Sequence, residues 1–261
     1  RRNRAAMTAA IVLGLLALLV VFGPLLSPYA FDKPDWEHIA MPPTLADGHL
    51  FGTDALGRDL LSRTLQGGRM SLLVGLVSTI VSLVIGIAWG ATAGFIGGRT
   101  DRIMMRIVDI LYALPFMFLV ILLMVLFGRQ IVLIFVAIGA INWLDMARIV
   151  RGQTLGLKQR EFVEAARVSG VGTARIILRH IVPNLLGVVV IYVTLTIPQV
   201  ILVESFLSFL GLGVQEPMTS WGALVSEGAQ EMENAPWMLL LPSLFLALTL
   251  FCFNFLGDGL R

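Results

Sequence analysis

Six apolar stretches without any charged residue or histidine run along the chain, and charged residues separate them. The stretches are 5–31, 70–98, 110–128, 130–144, 181–203 and 234–257. A helix needs roughly 20 apolar residues to cross the hydrocarbon core of a bilayer. Five stretches reach or approach that length, and the fourth reaches it if the apolar positions up to Val150 extend it. The pattern predicts an all-α integral membrane protein with six transmembrane helices.

The composition supports a membrane protein. Hydrophobic residues make up 57% of the 261 residues and charged residues 14%, and the mean hydropathy is +0.87. A soluble domain contains far more charge. The single cysteine, Cys252, excludes a disulfide or a cysteine-based metal site within the chain. The first apolar stretch is longer than the core of a signal peptide, so we expect it to be a retained helix.

The positions of lysine and arginine predict the orientation. With the N-terminus in the cytoplasm, fourteen of the 19 Lys and Arg residues fall on the inner side. Positive charge accumulates in the cytoplasmic segments of membrane proteins. We therefore expect both termini and the polar segment 150–183 in the cytoplasm.

That polar segment predicts a pair of helices. A first helix has Glu161 and Glu164 near its start, where carboxylates favour the helix dipole. Gly170 is expected to break it, and Thr173 to N-cap a second helix that runs to Pro183. The small side chains of Ala165 and Ala166 would allow another protein to approach closely. An ordinary amphipathic loop is the alternative interpretation.

Other features qualify this picture. Residues 51–68 predict a short amphipathic helix along the interface, capped by Thr53 or Asp54, with a leucine stripe opposite Arg58, Asp59 and Arg63. Small residues four positions apart predict close helix packing, within the subunit or across a dimer. These residues are Gly86, Gly90 and Gly94.

Two prolines and one carboxylate fall within or beside predicted spans. Pro115 and Pro198 should kink or interrupt their helices, and such broken helices are candidates for lining a transport pathway. Glu204 follows a long apolar run, so we expect it at the outer end of a span or in the pathway. The outer segments are acidic, which fits either a solvated face or a docking rim for a basic partner.

The motif Glu164-Ala165-Ala166, followed after three residues by Gly170, resembles the EAA loop of ABC importer permeases. The similarity extends over nearly the whole chain. The stretches FGTDALGRDLLSRTLQGGR, WLDMARIVRGQTLGLK, ESFLSFLGLGVQEPMTSWGALVSEG and FNFLGDGLR resemble the dipeptide/oligopeptide/nickel permease family. Within that family, RIVDILYALPFMFLVILL and LFCFNFLGDGLR are most similar to the oligopeptide branch.

The resemblance implies a type I ABC importer permease with a cytoplasmic coupling helix. It implies an N-terminal helix and extracytoplasmic loop over 1–68 and a permease domain over 69–261. The residues expected to contact an ATPase are Glu161, Glu164, Ala165, Ala166 and Gly170. The implied partners are a second homologous permease subunit, two ATP-binding subunits, an extracytoplasmic peptide-binding protein and membrane lipid, with no nucleic acid. The implied process is uptake of oligopeptides across a bacterial inner membrane by alternating access.

The chain lacks the sequence motifs of an enzyme. Neither of its lysines, Lys33 and Lys158, follows a glycine, so there is no phosphate-binding Gly-Lys-Ser/Thr motif. We expect no catalytic residue, cofactor or metal in this chain, and ATP and magnesium to bind partner subunits. The three histidines, His38, His49 and His180, are expected to lie apart.

Other functions remain open. A dipeptide or nickel permease of the same family differs mainly in the partner that delivers the substrate. A carrier independent of ATP would need ionisable residues in the middle of its spans, but Asp109 and Asp145 lie at edges, which leaves only Glu204. A membrane enzyme would need a paired nucleophile and base within the spans.

Overall fold

The computed structural model describes residues 4–128 and 131–260. In these residues all regular secondary-structure elements are helices. The predicted all-α class is therefore confirmed. The helices are α1 (Arg4–Leu26), α2 (Leu60–Ile96), α3 (Gly98–Ala113), α4 (Phe116–Phe127), α5 (Ile131–Leu157), α6 (Glu161–Val168), α7 (Thr173–Ile176), α8 (Val182–Phe209), α9 (Trp221–Gln230) and α10 (Trp237–Leu260), with a π-helical turn over Ile177–Ile181.

Several of these helices are long and apolar enough to cross a membrane. In the described residues they are Arg4–Leu25, Leu60–Ile96, Thr173–Phe209 and Trp237–Leu260, with a fifth span if α3 and α4 are counted together. The chain is a multi-pass membrane protein. Six transmembrane helices stay a prediction, although α5 occupies the position of the predicted fourth span with 27 residues. The predicted start of this span, residue 130, lies outside the described residues. So do four of the arginines from which the orientation is predicted: Arg1, Arg2, Arg129 and Arg261.

The long helix α2 packs along α5 through its glycines. With 37 residues, it measures about 55 Å. A Cβ added to Gly86 would lie 2.5 Å from the Met146 side chain, and one added to Gly94 would lie 2.9 Å from the Arg151 carbonyl oxygen. At Gly90 the added atom would collide with the Ala147 carbonyl. Close packing of this glycine row within the subunit is confirmed.

The predicted interfacial helix over 51–68 is wrong. Residues 51–59 form turns, and α2 begins only at Leu60. The N-cap is Asp59, whose carboxylate accepts a hydrogen bond from the Ser62 N–H at 2.8 Å, so neither Thr53 nor Asp54 caps the helix. Gly57, at φ +76°, lies outside helical geometry. The turn forms because Asp54 bonds the backbone N–H groups of nearby residues, an alternative to the helical ladder.

The two prolines differ in effect. Pro115 separates α3 from α4, and the axes of these helices differ by 84°. Proline lacks the N–H that continues a helix and clashes with the preceding turn, so the predicted interruption is confirmed. Pro198 lies buried inside α8, which continues through it. The kink expected there stays a prediction.

The second helix of the polar segment continues into the next span. It begins at Thr173, with Gly172 at the N-cap, so the prediction that Thr173 is the cap is wrong by one residue. The prediction that this helix ends at Pro183 is also wrong. Its π-helical turn is closed by the bond from Val182 N–H to the Ile177 carbonyl, and the chain stays helical through Pro183 to Phe209. Pro183 follows the π-helical turn directly, where the regular helical hydrogen-bond ladder is already interrupted, so its missing N–H does not end the helix.

Candidate functional site

The short helix α6 is anchored by one apolar face. Val163 and Ala166 are buried. They belong to a cluster formed by the ends of several long helices, which we call the anchor cluster: Ala91, Phe95, Met146, Val150, Val163, Ala166, Ile176, Ile181, Leu185 and Val189. Val163 and Ala166 of α6 thus share one apolar cluster with residues of α2, α5 and α8. Because packed interiors have little free volume, a displacement of α6 would disturb the packing of this cluster.

A glycine terminates α6, as the sequence predicts. Gly170 has φ +75°, in the left-handed region that glycine adopts without strain. Its N–H donates to the Arg167 carbonyl at 2.9 Å, and the Val171 N–H donates to the Ala166 carbonyl at 3.0 Å. This is the Schellman arrangement, which often includes an apolar contact across the end of the helix. Here Val171 packs on the anchor cluster beside Ala166.

The opposite face of α6 is exposed and carries the acidic residues. Glu161, Glu164 and Ala165 all point away from the protein. Phe162 is 40% exposed, and Val168, at the end of the helix, is 84% exposed. The structure thus separates the two alanines of the motif, since Ala165 is on the surface and Ala166 is 8% exposed. The accessible surface combines two carboxylates with apolar side chains, a composition suited to a protein partner.

Two basic side chains, one just before α6 and one near its end, contact the C-terminal end of α2. The guanidinium carbon of Arg167 lies 4.9 Å from the centroid of the Phe95 ring, and the Lys158 Nζ lies 5.8 Å from it. Each is within range of a cation–π interaction. Lys158 also donates to the Ile96 carbonyl at 3.4 Å. Lys158, just before α6, and Arg167, near its end, thus both interact with the Phe95 ring.

Glu204 lies in a buried polar cluster near the end of α8. Its carboxylate is 0% exposed. Ser208 donates to it at 2.7 Å and Ser71 at 3.4 Å. The Ser71 hydroxyl in turn accepts from the Trp221 N–H at 3.1 Å. Glu204 thus joins α2, α8 and the start of α9, near the end of its span as predicted, and its part in a pathway stays a prediction.

Comparison with known proteins decides the family. A profile of the binding-protein-dependent transport system inner membrane components matches residues 57–261, most of the chain. The chain belongs to this family. A second profile, of the N-terminal transmembrane domain of oligopeptide transport permease C, matches residues 1–43 of this family member.

Named relatives of this family member align over its full length. It is 57% identical to the oligopeptide transport system permease protein OppC of Haemophilus influenzae, with 100% of the chain and 84% of that protein covered. Identity to OppC of Escherichia coli strain K12 is 59%, covering 99% of the chain and 86% of that protein. The dipeptide transport system permease protein DppC of Bacillus subtilis is 45% identical, covering 100% and 81%.

At the other end of α2, this family member contains a buried ion-pair network that the sequence reading missed. The Asp54 carboxylate contacts Arg58 Nε at 2.7 Å and also pairs with Arg63. Arg63 reaches Glu227 at 3.0 Å, and Arg58 reaches Glu216 at 2.8 Å. These pairs join the turns after α1 to the region around α9, so Glu216 and Glu227, two of the acidic residues expected on the outer side, are paired.

The charges in this network act on Asp54. Burial alone would raise the pKa of its carboxyl, but the charges of Arg63 and Arg58 and a hydrogen bond from the Arg58 N–H outweigh burial and hold the pKa below its usual value. The Trp221 ring is fully buried beside the network, and its indole N–H donates to the Thr64 carbonyl at 2.9 Å. No local spacing in the sequence reveals the contacts of Glu216, Glu227 and Trp221, because their partners are more than 150 residues apart.

The histidines also differ from expectation. His38 and His49, predicted to lie apart, have ring centroids 5.5 Å from each other. Turns between residues 27 and 59 bring them together, and turns of this kind are hard to derive from sequence. The prediction that the histidines are separate is wrong for this pair.

Proposed function

We propose that this chain is the permease subunit of an ATP-driven ABC importer that carries oligopeptides into the bacterial cytoplasm. The full-length identity of 57% and 59% to two proteins named OppC supports the substrate class. The match to a family of binding-protein-dependent inner membrane components supports the membrane role. The subunit itself is non-catalytic.

The proposed transporter contains several chains. A second homologous permease subunit pairs with this one, and two ATP-binding subunits bind ATP and magnesium on the cytoplasmic side. An extracytoplasmic binding protein delivers the peptide. Both termini of this chain and α6 lie in the cytoplasm, as the lysine and arginine distribution favours.

The exposed face of α6 is the proposed contact with an ATP-binding subunit, and Glu161, Glu164 and Ala165 form its centre. The observation that carries this proposal is the two-faced packing of α6, with its inner face buried in the anchor cluster and its acidic face exposed. Closure of the ATPase dimer would move α6, and the ends of α2, α5 and α8 would follow. The spans would then pass between inward-facing and outward-facing arrangements.

Cysteine capture tests this contact. Ala165→Cys and Ala166→Cys are introduced separately in a Cys252→Ser background, and native membranes are treated with a short cross-linker that reacts with thiols and amines. The Ala165→Cys variant should capture an ATP-binding subunit, with a yield that changes when nucleotide is added. The buried Ala166→Cys serves as the matched control and should capture little. Equal capture at both positions, or none at either in a complex shown to be assembled, would overturn the proposal.

A dipeptide permease is the second candidate, because the 45% identity to DppC also extends over the whole chain. Uptake of a labelled pentapeptide and of a labelled dipeptide, measured separately in cells that depend on this transporter, distinguishes the two. Uptake of the pentapeptide that is reduced by unlabelled tetra- and pentapeptides supports the oligopeptide assignment. Uptake of the dipeptide without uptake of the pentapeptide would support the second candidate.

A further inference from the structure

A cluster of metal-binding side chains lies in the turns between α1 and α2. Asp35, His38 and His49 each offer a ligand atom, and these atoms all lie within 4.8 Å of one another. His49 is 2% exposed, whereas Asp35 and His38 are half-buried. Two imidazole nitrogens and one carboxylate oxygen form an open three-ligand set of the kind that zinc accepts, with water completing the coordination.

The hydrogen bonds of His49 leave one ring nitrogen for a metal. His49 Nδ1 lies 2.9 Å from the Asp59 carboxylate, and both side chains are 2% exposed. Asp59 also accepts from the Ser62 N–H and hydroxyl, each at 2.8 Å, so its carboxylate serves as a hydrogen-bond acceptor. When the Nδ1–H of His49 donates to this carboxylate, Nε2 keeps its lone pair for a metal. A carboxylate behind a histidine in this way is the usual support of a metal-binding imidazole.

The other two ligands are already adjacent. His38 Nδ1 lies 2.8 Å from Asp35 Oδ2. A metal ion between these two atoms would replace the shared proton, with only a small separation needed because zinc–ligand distances are about 2.0–2.2 Å. Asp35 is held in place at its other oxygen, which accepts from the Glu37 N–H at 3.1 Å. The Tyr29 ring stacks on His49 at a centroid distance of 4.2 Å and fixes the plane of that imidazole.

A cavity of about 520 Å³ adjoins the cluster and gives an ion and its water access. Three carboxylates line it, from Asp35, Glu37 and Asp59, together with one cationic side chain, Lys33. The excess of negative charge favours a cation over an anion. Imidazole nitrogen binds zinc, copper, iron and nickel well, whereas calcium and magnesium prefer oxygen ligands, so the two histidines favour the first group of metals.

We propose that Asp35, His38 and His49 bind a divalent transition-metal ion of the zinc type, with Asp59 as the residue that orients His49. The ion joins residues 35–38 to His49, and His49 joins it to the N-cap of α2 through Asp59. Metal binding therefore stabilises the turns that precede the long span. This role is separate from any contact of α6 with an ATPase.

Equilibrium zinc binding to the assembled transporter in lipid nanodiscs tests the site. The complex is stripped with a chelator, and zinc is titrated in competition with a fluorescent zinc indicator, which gives stoichiometry and affinity. We expect the wild-type complex to bind one more zinc ion per chain than the His38→Gln/His49→Gln double variant. Asp59→Asn should weaken binding at this site about 10- to 100-fold, the usual effect of losing the carboxylate behind a ligating histidine.

Two matched controls distinguish this site from general surface binding. Asp32→Asn removes an exposed carboxylate of the same turns that does not line the cavity, and His180→Gln removes a distant histidine, so both should bind zinc as the wild type does. Cobalt substitution adds a spectroscopic test, because visible ligand-field bands should appear in the wild type and be absent from the double variant. Equal zinc stoichiometry in the wild type and the double variant, or an equal loss in Asp32→Asn, would overturn the proposal.

Discussion

The two ends of α2 are held by opposite kinds of interaction. At its C-terminal end, Ala91 and Phe95 pack into the apolar anchor cluster beneath α6. At its N-terminal end, Arg63 is buried among carboxylates, and Asp59 caps the helix while bonded to His49. One helix of 37 residues thus connects an apolar junction to a charged one.

The difference bears on what each end can do. Where the interior contacts are apolar, the charged residues of α6 remain on the surface, and Glu161 and Glu164 are free to meet a partner protein. Where the interior contacts are ionic, the charges are used within the subunit, as at Arg63 and Asp54. Buried ion pairs also specify their geometry, since an uncompensated buried charge is costly. We infer that the charged end fixes the turns before α2, and that the apolar end transmits contact with a partner.

The largest effect is expected from Arg63→Met at the charged end. Arg63 is 1% exposed and pairs with Asp54 and Glu227. Its loss leaves buried negative charge with less compensation, so the free energy of unfolding should fall by about 3 kcal/mol. Urea titration of the purified protein in mild detergent measures the change. Glu233→Gln, at an exposed position between α9 and α10, is the control and should unfold as the wild type does.

Gly90→Val should have the next largest effect. It changes the packing of α2 on α5, between the two ends of α2. A side chain at Gly90 collides with the backbone of α5 at Ala147. Overpacking of this kind should lower the free energy of unfolding by about 2 kcal/mol. The same urea titration measures this change. Gly152→Ala is the control within α5, because a Cβ there meets no heavy atom of the described residues within 4 Å. An unchanged Gly90→Val variant would contradict the packing of α2 on α5.

Gly170→Ala should have a smaller and local effect at the apolar end. Alanine in the left-handed conformation costs about 1 kcal/mol, although the space around Gly170 is open. Hydrogen exchange across residues 161–171 should therefore become faster while exchange elsewhere is unchanged. Gly172→Ala is the matched control, since Gly172 has φ −63°, which alanine adopts without strain. Equal exchange in the two variants would contradict the Schellman termination of α6.

The smallest expected effect is the pH dependence of the charged end. The pKa of Asp54 is lowered from 3.8 in the folded protein, so its carboxylate contributes stability above about pH 3.8. This contribution is lost as the pH falls through the lower, folded pKa. The decrease in unfolding free energy between pH 5 and pH 3 should therefore be smaller in Asp54→Asn than in the wild type. An identical decrease would contradict the pairing of Asp54 with the two arginines.

The features predicted well from sequence are local or depend on length. Helix α6, its end at Gly170 and the interruption at Pro115 follow from capping and proline chemistry within a few residues. The close packing of Gly86, Gly90 and Gly94 follows from their spacing alone, since only small residues allow two helices to approach so closely. The surface position of Ala165 and the burial of Ala166 were not distinguished, because that depends on which side of α6 meets α2.

The features missed depend on contacts distant in sequence. Arg58, Asp59 and Arg63 have the spacing of a polar helix face, and local pattern favoured an exposed interfacial helix. The distant partners of Arg58 and Arg63 are Glu216 and Glu227, which lie in a segment that folds back onto α2. The approach of His38 to His49 depends likewise on turns rather than on any repeat. Periodicity describes which face is apolar, but not which charges meet.

Hydrogen exchange of this chain in the assembled transporter, with and without the ATP-binding subunits, tests the central claim most directly. The proposed coupling role predicts slower exchange across residues 161–180 when these subunits are bound, with exchange across residues 27–59 unchanged. The reverse pattern, or no protection of 161–180 in a complex that hydrolyses ATP, would contradict the proposal that α6 is the surface through which the ATPase moves the spans.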